Sequence, residues 1–156
     1  QNHAAPTEEA EEEKVEPVLE VSDFTVKLVS DYQNTPEGQF EFEFSYQSLK
    51  DQPTHIALSF VDLDTQIGYY NDNSMELELT GEGKQIARYR CSFPYMNQAR
   101  LKLIATVRDE EKRVLAFTAS DDQPVIFIGR RDLDLLSESE RDAATGLLKR
   151  NGSWSQ

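Results

Sequence analysis

A strict two-residue alternation constrains this chain more than any other feature. Phe40, Phe42, Phe44 and Tyr46 are separated by Glu41, Glu43 and Ser45. Successive side chains of an extended chain point to opposite faces, so this segment reads as a half-buried strand with one aromatic and one polar face. The pattern recurs. Ile56, Leu58 and Phe60 carry it, as do Met75, Leu77 and Leu79 around Glu76 and Glu78. Ala87, Tyr89, Cys91 and Phe93 enclose Arg88, Arg90 and Ser92, and Leu101, Leu103, Ala105 and Val107 enclose Lys102 and Thr106. Residues 114–119 and 125–128 are apolar on both faces and read as central strands. The first strand changes phase, with Leu19 and Val21 on odd positions and Phe24, Val26 and Leu28 on even ones. An inserted residue near Ser22–Asp23, a bulge, accounts for that shift.

Turn chemistry separates these runs: Thr35-Pro36-Glu37-Gly38, Asp51-Gln52-Pro53, Gly81-Glu82-Gly83 and Asp109-Glu110-Glu111. Seven or eight short strands between residues 19 and 129, with no helical pattern among them, predict an all-β fold. The expected architecture is an antiparallel β-sandwich of immunoglobulin-like size followed by a short C-terminal α-helix. Phe40, Phe42, Phe44, Leu58, Phe60, Leu77, Tyr89, Leu101 and Leu103 are its expected core. A jelly roll or open barrel is the alternative arrangement. Ser137-x-x-Glu140 has the form of a capping box, and Leu136, Ala143, Ala144, Leu147 and Leu148 follow at helical spacing. A helix of about twelve residues is marginal alone, so its apolar stripe is expected to dock on the sandwich.

Three parts result: an acidic leader (1–17), the sandwich (18–130) and the C-terminal helix with its tail (131–156). Residues 1–20 hold seven Glu, one Lys and no aromatic residue. Such a segment buries too little apolar area to offset its ordering entropy. It suits a spacer behind a processed and lipidated N-terminus, which places the expected working site outside the cytoplasm, in the periplasm or at the cell surface, or in a secreted protein.

Charge and inventory narrow the function. The net charge is −13, which argues against nucleic acid and against an anionic membrane surface as partners. Membrane attachment is expected only through an N-terminal lipid. The single cysteine, Cys91, reads as a small core residue. No phosphate-binding glycine loop, paired-cysteine spacing or His-Glu-x-x-His motif is present, so neither metal nor cofactor is expected. The oxygen-rich stretches Asp62-x-Asp64 and Asn71-Asp72-Asn73 read as Asx turns.

The aromatic residues divide by type. All eight Phe fall in expected strands, whereas Tyr32, Tyr69, Tyr70 and Tyr95 fall in expected connections. If every connection reverses the strand, loops 31–38, 62–74, 93–98 and 119–124 share one end. That end would gather Tyr32, Tyr69, Tyr70, Tyr95 and Met96, a composition suited to a partner-binding surface. The plainer reading is that these tyrosines cap the core. A second candidate surface is a sheet face bearing Arg88, Arg90, Arg100 and Lys102, unless Glu76 and Glu78 neutralise it. The expected function is therefore a non-enzymatic extracytoplasmic module that binds a protein, through the loop end or the sheet face. A carbohydrate-binding module with sugar-stacking tyrosines is the alternative. A two-carboxylate glycoside hydrolase is the third reading.

Overall fold

The computed structural model describes residues 19–32, 38–94, 96–118, 123–129, 135–143, 148 and 151–156. The expected leader, 1–17, lies outside them. Eight strands follow in order: β1 (Val21–Tyr32), β2 (Gly38–Ser48), β3 (His55–Asp62), β4 (Gly68–Asp72), β5 (Gly83–Phe93), β6 (Gln98–Arg108), β7 (Val114–Phe117) and β8 (Val125–Gly129). A short helix, α1 (Glu138–Ala143), comes last. The expected fold class stands: the chain is an antiparallel β-sandwich of immunoglobulin-like size with a short C-terminal helix. One sheet has the order β1-β2-β5. The other has β4-β3-β6-β7, with β8 also paired to β6.

The alternation read from the sequence builds the core. Phe40, Phe42, Phe44, Phe60, Leu101 and Leu103 are all at most 1% exposed. Phe42 of one sheet meets Phe60 of the other with ring centroids 5.6 Å apart. Cys91 is buried among these residues, and burial pushes its thiol up to about 12. The first-strand bulge is present as a register shift between Ser22 and Thr25, and Asp23 takes φ 57° there. Aspartate tolerates this left-handed conformation better than most residues.

Several expectations need correction. Met75–Leu79 is not a strand: Leu77 is 52% exposed, and only Leu79 pairs, in a bridge to Thr54. The strand lies earlier, at β4, where a connection was expected. Tyr89 is half-buried rather than fully enclosed. Residues 114–117 and 125–129 are not central. Phe117 is 70% exposed and Val125 52%, because both segments pair in succession along one side of β6. β7 and β8 therefore run in the same direction; Thr118 donates to Ala105 O and Leu103 donates to Pro124 O along the same lane. At the C terminus, Ser137 Oγ accepts from Glu140 N–H as the capping box requires. Leu148, placed on the helical stripe by its spacing, instead forms a β-bridge with Met96 and is 61% exposed.

Candidate functional site

Two sheets have four edges, and a bare edge is a template for another chain, so natural sandwiches interrupt theirs. Three of the four are interrupted here. Edge strand β1 has two register shifts, after Ser22 and after Leu28. Edge strand β4 has five residues and a bulge at Tyr69, between the pairs Phe60↔Tyr70 and Val61↔Gly68. The fourth lane of that sheet is split into β7 and β8, and β7 shifts register as well.

Strand β5 differs. It pairs with β2 over eleven residues, from Gly38↔Phe93 to Ser48↔Gly83, without a shift. Among the described residues, no group outside β2 hydrogen-bonds to the backbone of Lys84–Phe93. Among the described residues, one side of this straight ladder has no neighbour.

The outward row of β5 is charged in register with its neighbours. Lys27 of β1 lies opposite Glu43 of β2, which lies opposite Arg88 of β5. The contacts are Lys27 Nζ–Glu43 Oε1 3.4 Å and Arg88 Nη2–Glu43 Oε2 3.1 Å. Arg90 pairs with Glu41 at 3.0 Å. The Arg88 hydrogen bond, first among its causes, holds the Glu43 carboxyl below its ordinary range. Glu41 and Glu43 are 13% and 20% exposed, whereas Arg88 and Arg90 remain 57% and 73% exposed at the rim.

Beneath β5 the sandwich is incompletely closed. The chain beyond β4 passes along the other sheet through residues 73–79, held by His55 Nδ1 to Leu77 O (3.1 Å) and by the Thr54–Leu79 bridge. Between this segment and β5 opens a cleft of about 140 Å³. Its floor is Phe44, Ile56 and Leu58, and Leu77 and Ala87 stand on its sides. At one end Tyr70 OH and Tyr89 OH lie 2.6 Å apart, and Tyr89 OH donates to Asp72 Oδ2 at 2.7 Å. Burial, then these hydrogen bonds, push the Tyr89 hydroxyl far up. The Ser74 backbone N–H, then the Tyr89 hydroxyl, hold Asp72 below its ordinary value.

The residues singled out from the sequence fall as follows. The topology brings the end of β1, the 62–67 turn and the 93–97 connection to one end, as strand reversal requires. Tyr32 ends β1, and Tyr95 lies outside the described residues. Tyr69 and Tyr70 are on β4 rather than in a loop. The bulge turns both toward the interior, with Tyr69 OH 2.9 Å from Met96 Sδ and the Tyr70 ring 5.8 Å from Phe60. Met96 is fully buried.

The four cations do not share a face. Strands β5 and β6 belong to different sheets, so Arg88 and Arg90 lie on one outer face and Arg100 and Lys102 on the other. Neutralisation comes from Glu41 and Glu43, not from Glu76 and Glu78. Arg100 pairs with Asp64. The outer face of the larger sheet also carries a shallow trough along β3, about 540 Å³, lined in part by Ser59, Asn71, Asn73, Thr106 and Arg108. The open side of β5 escaped sequence reasoning. Side-chain parity states which face a residue takes but not whether its strand has one neighbour or two.

Among the described residues no group of three or more His, Cys, Asp or Glu stands close enough to hold a metal ion, and no helix is long and apolar enough to cross a membrane. Asp62 and Asp72 do cap turns: Asp62 Oδ2 accepts from the Thr65 N–H and hydroxyl, and Asp72 Oδ1 from the Ser74 N–H.

No protein-family description matches the chain, and no curated protein is significantly similar to it. Among solved structures, the CARDB domain of a Pyrococcus furiosus protein, in complex with di-metal ions, is similar over 72% of this chain and 96% of its own, at 15% identity and a TM-score of 0.38. A putative ApaA protein from Bordetella pertussis is similar over 71% of this chain and 94% of its own, at 7% identity and a TM-score of 0.34. Likeness at this level transfers neither ligand nor partner.

Proposed function

We propose that this chain is a non-enzymatic protein-interaction module working outside the cytoplasm, and that it takes its partner at the β5 edge. The observation that carries this reading is the contrast between edges. Three are interrupted by bulges or breaks, and β5 runs straight for eleven residues with its outer side unpaired among the described residues. Adding a partner's extended segment to such an edge supplies main-chain hydrogen bonds, while side-chain pockets supply selectivity. The extracytoplasmic part of the reading rests on the acidic composition of residues 1–17, which suits a spacer.

A photo-crosslinking residue at Ile86, on the outward row of β5, tests this in the source cell. A discrete protein adduct is expected there and not from Lys27 on the opposite edge. Adducts from Lys27 alone, or from both edges equally, would overturn the assignment.

The second reading, a carbohydrate-binding module, draws on the β3 trough, whose amides, hydroxyls and Arg108 match sugar hydroxyls. Specific retention of the chain on a glycan, lost in Asn73→Ala, would favour it over the edge.

A further inference from the structure

We infer that the β5 edge selects an acidic strand: an extended segment with carboxylates two residues apart and an apolar side chain between them. This rests on the β5-edge reading above and adds the chemistry of the partner. The charge row is its first support. Lys27, Glu43 and Arg88 alternate in sign across three lanes, so a fourth lane beside Arg88 is completed by an acid. Arg90, paired with Glu41 on its inner side and 73% exposed, asks for the same two residues further along.

The cleft is the second support. A strand with acids opposite Arg88 and Arg90 presents the side chain between them opposite Tyr89 and the flanking one opposite Ala87, on the inward face. Ala87 is small, and beside it lies the cleft of about 140 Å³, floored by the buried Phe44 and Leu58 and the half-buried Ile56, with Asp72 and Glu76 also on its lining. An aliphatic side chain fits that space and closes the seam between the sheets.

The same charges reject a second copy. A two-fold antiparallel pairing of β5 with itself, centred anywhere from Ile86 to Arg90, sets one of Lys84, Arg88 and Arg90 against another cation. Like charges directly opposite are unfavourable. The edge is thus closed to its own kind and open to acidic strands.

Synthetic peptides test this on the full chain: one alternating glutamate and valine, one alternating lysine and valine, and the glutamate peptide N-methylated at alternate residues in either phase. The glutamate peptide should bind about tenfold more tightly than the lysine peptide, from two cross-strand charge pairs. One N-methylation phase should abolish binding and the other should spare it, because a strand presents alternate N–H groups to its neighbour. Arg88→Gln/Arg90→Gln, checked for an unchanged far-ultraviolet spectrum, should erase the preference between the two peptides. Equal binding of glutamate and lysine peptides, or equal loss in both N-methyl phases, would overturn the inference. So would sedimentation of the chain alone as a dimer that Arg88→Gln/Arg90→Gln dissolves. A crosslinked adduct at Ile86 with no binding of the glutamate peptide would leave the edge as the site and refute the acidic strand.

Discussion

Two small polar arrangements show how single residues fix this sandwich. In the first, Tyr70, Tyr89 and Asp72 form a chain of hydroxyls ending on a carboxylate, which ties β4 of one sheet to β5 of the other. Tyr89→Phe removes a donor from Asp72 and a partner from Tyr70, and should cost about 1–2 kcal/mol in chemical denaturation. Asp72 also gives this contact a pH dependence. Its folded value lies below the ordinary 3.8, so the ionised form is favoured in the folded state. The stability it contributes is complete above that ordinary value and is lost as pH falls through the folded one. Asp72→Asn should therefore flatten the stability profile below about pH 4, and an unchanged acid limb would show that Asp72 is not engaged. In the second, Glu20, 9% exposed, accepts from Lys50, Gln52 and Arg113 and clamps the opposite end of the sandwich. Lys50 and Arg113 are each 61% exposed and regain water when the carboxylate is removed. Glu20→Ala should thus cost only about 1–2 kcal/mol, well short of the 3–5 of a fully buried pair.

At the scale of elements, the strands legible in the sequence are those with one buried face. β2, β3, β5 and β6 alternate cleanly, and Phe42, flanked by Phe40 and Phe60, is fully buried as its parity requires. Phe42→Ala should cost about 3–5 kcal/mol, measured by denaturant unfolding. A much smaller loss would mean the core relaxes into the space. β4 was illegible because an edge strand with a bulge need not alternate; Gly68-Tyr69-Tyr70-Asn71-Asp72 puts adjacent tyrosines on one side. Met75, Leu77 and Leu79 mislead for the converse reason. Their alternation is real, yet residues 73–78 form no ladder with β3, and Leu77 is half exposed. The candidate site suffers most from this. Its outward cations were legible as such, but their partners and the open side of β5 follow from β2, and not β6, being the neighbour.

For the molecule as a whole, charge is the dominant global quantity. The chain has 29 acidic and 16 basic side chains and a net charge of −13. Folding brings those excess acids closer together than they are in the expanded chain, so self-repulsion opposes the folded state at neutral pH. The Glu41, Glu43, Arg88 and Arg90 ladder acts in the other sense, but its cations are largely solvated and such pairs contribute little. Net repulsion should win. Raising sodium chloride from low to moderate concentration at neutral pH should raise Tm by roughly a few degrees, as screening relieves the excess charge more than it weakens the exposed pairs. Arg88→Gln/Arg90→Gln makes the chain more negative and should enlarge that salt response without changing its sign. A Tm that falls with salt in the parent chain would mean that local ion pairs, rather than net charge, set its electrostatic stability. The β5 ladder would then be a structural device first and a recognition surface second.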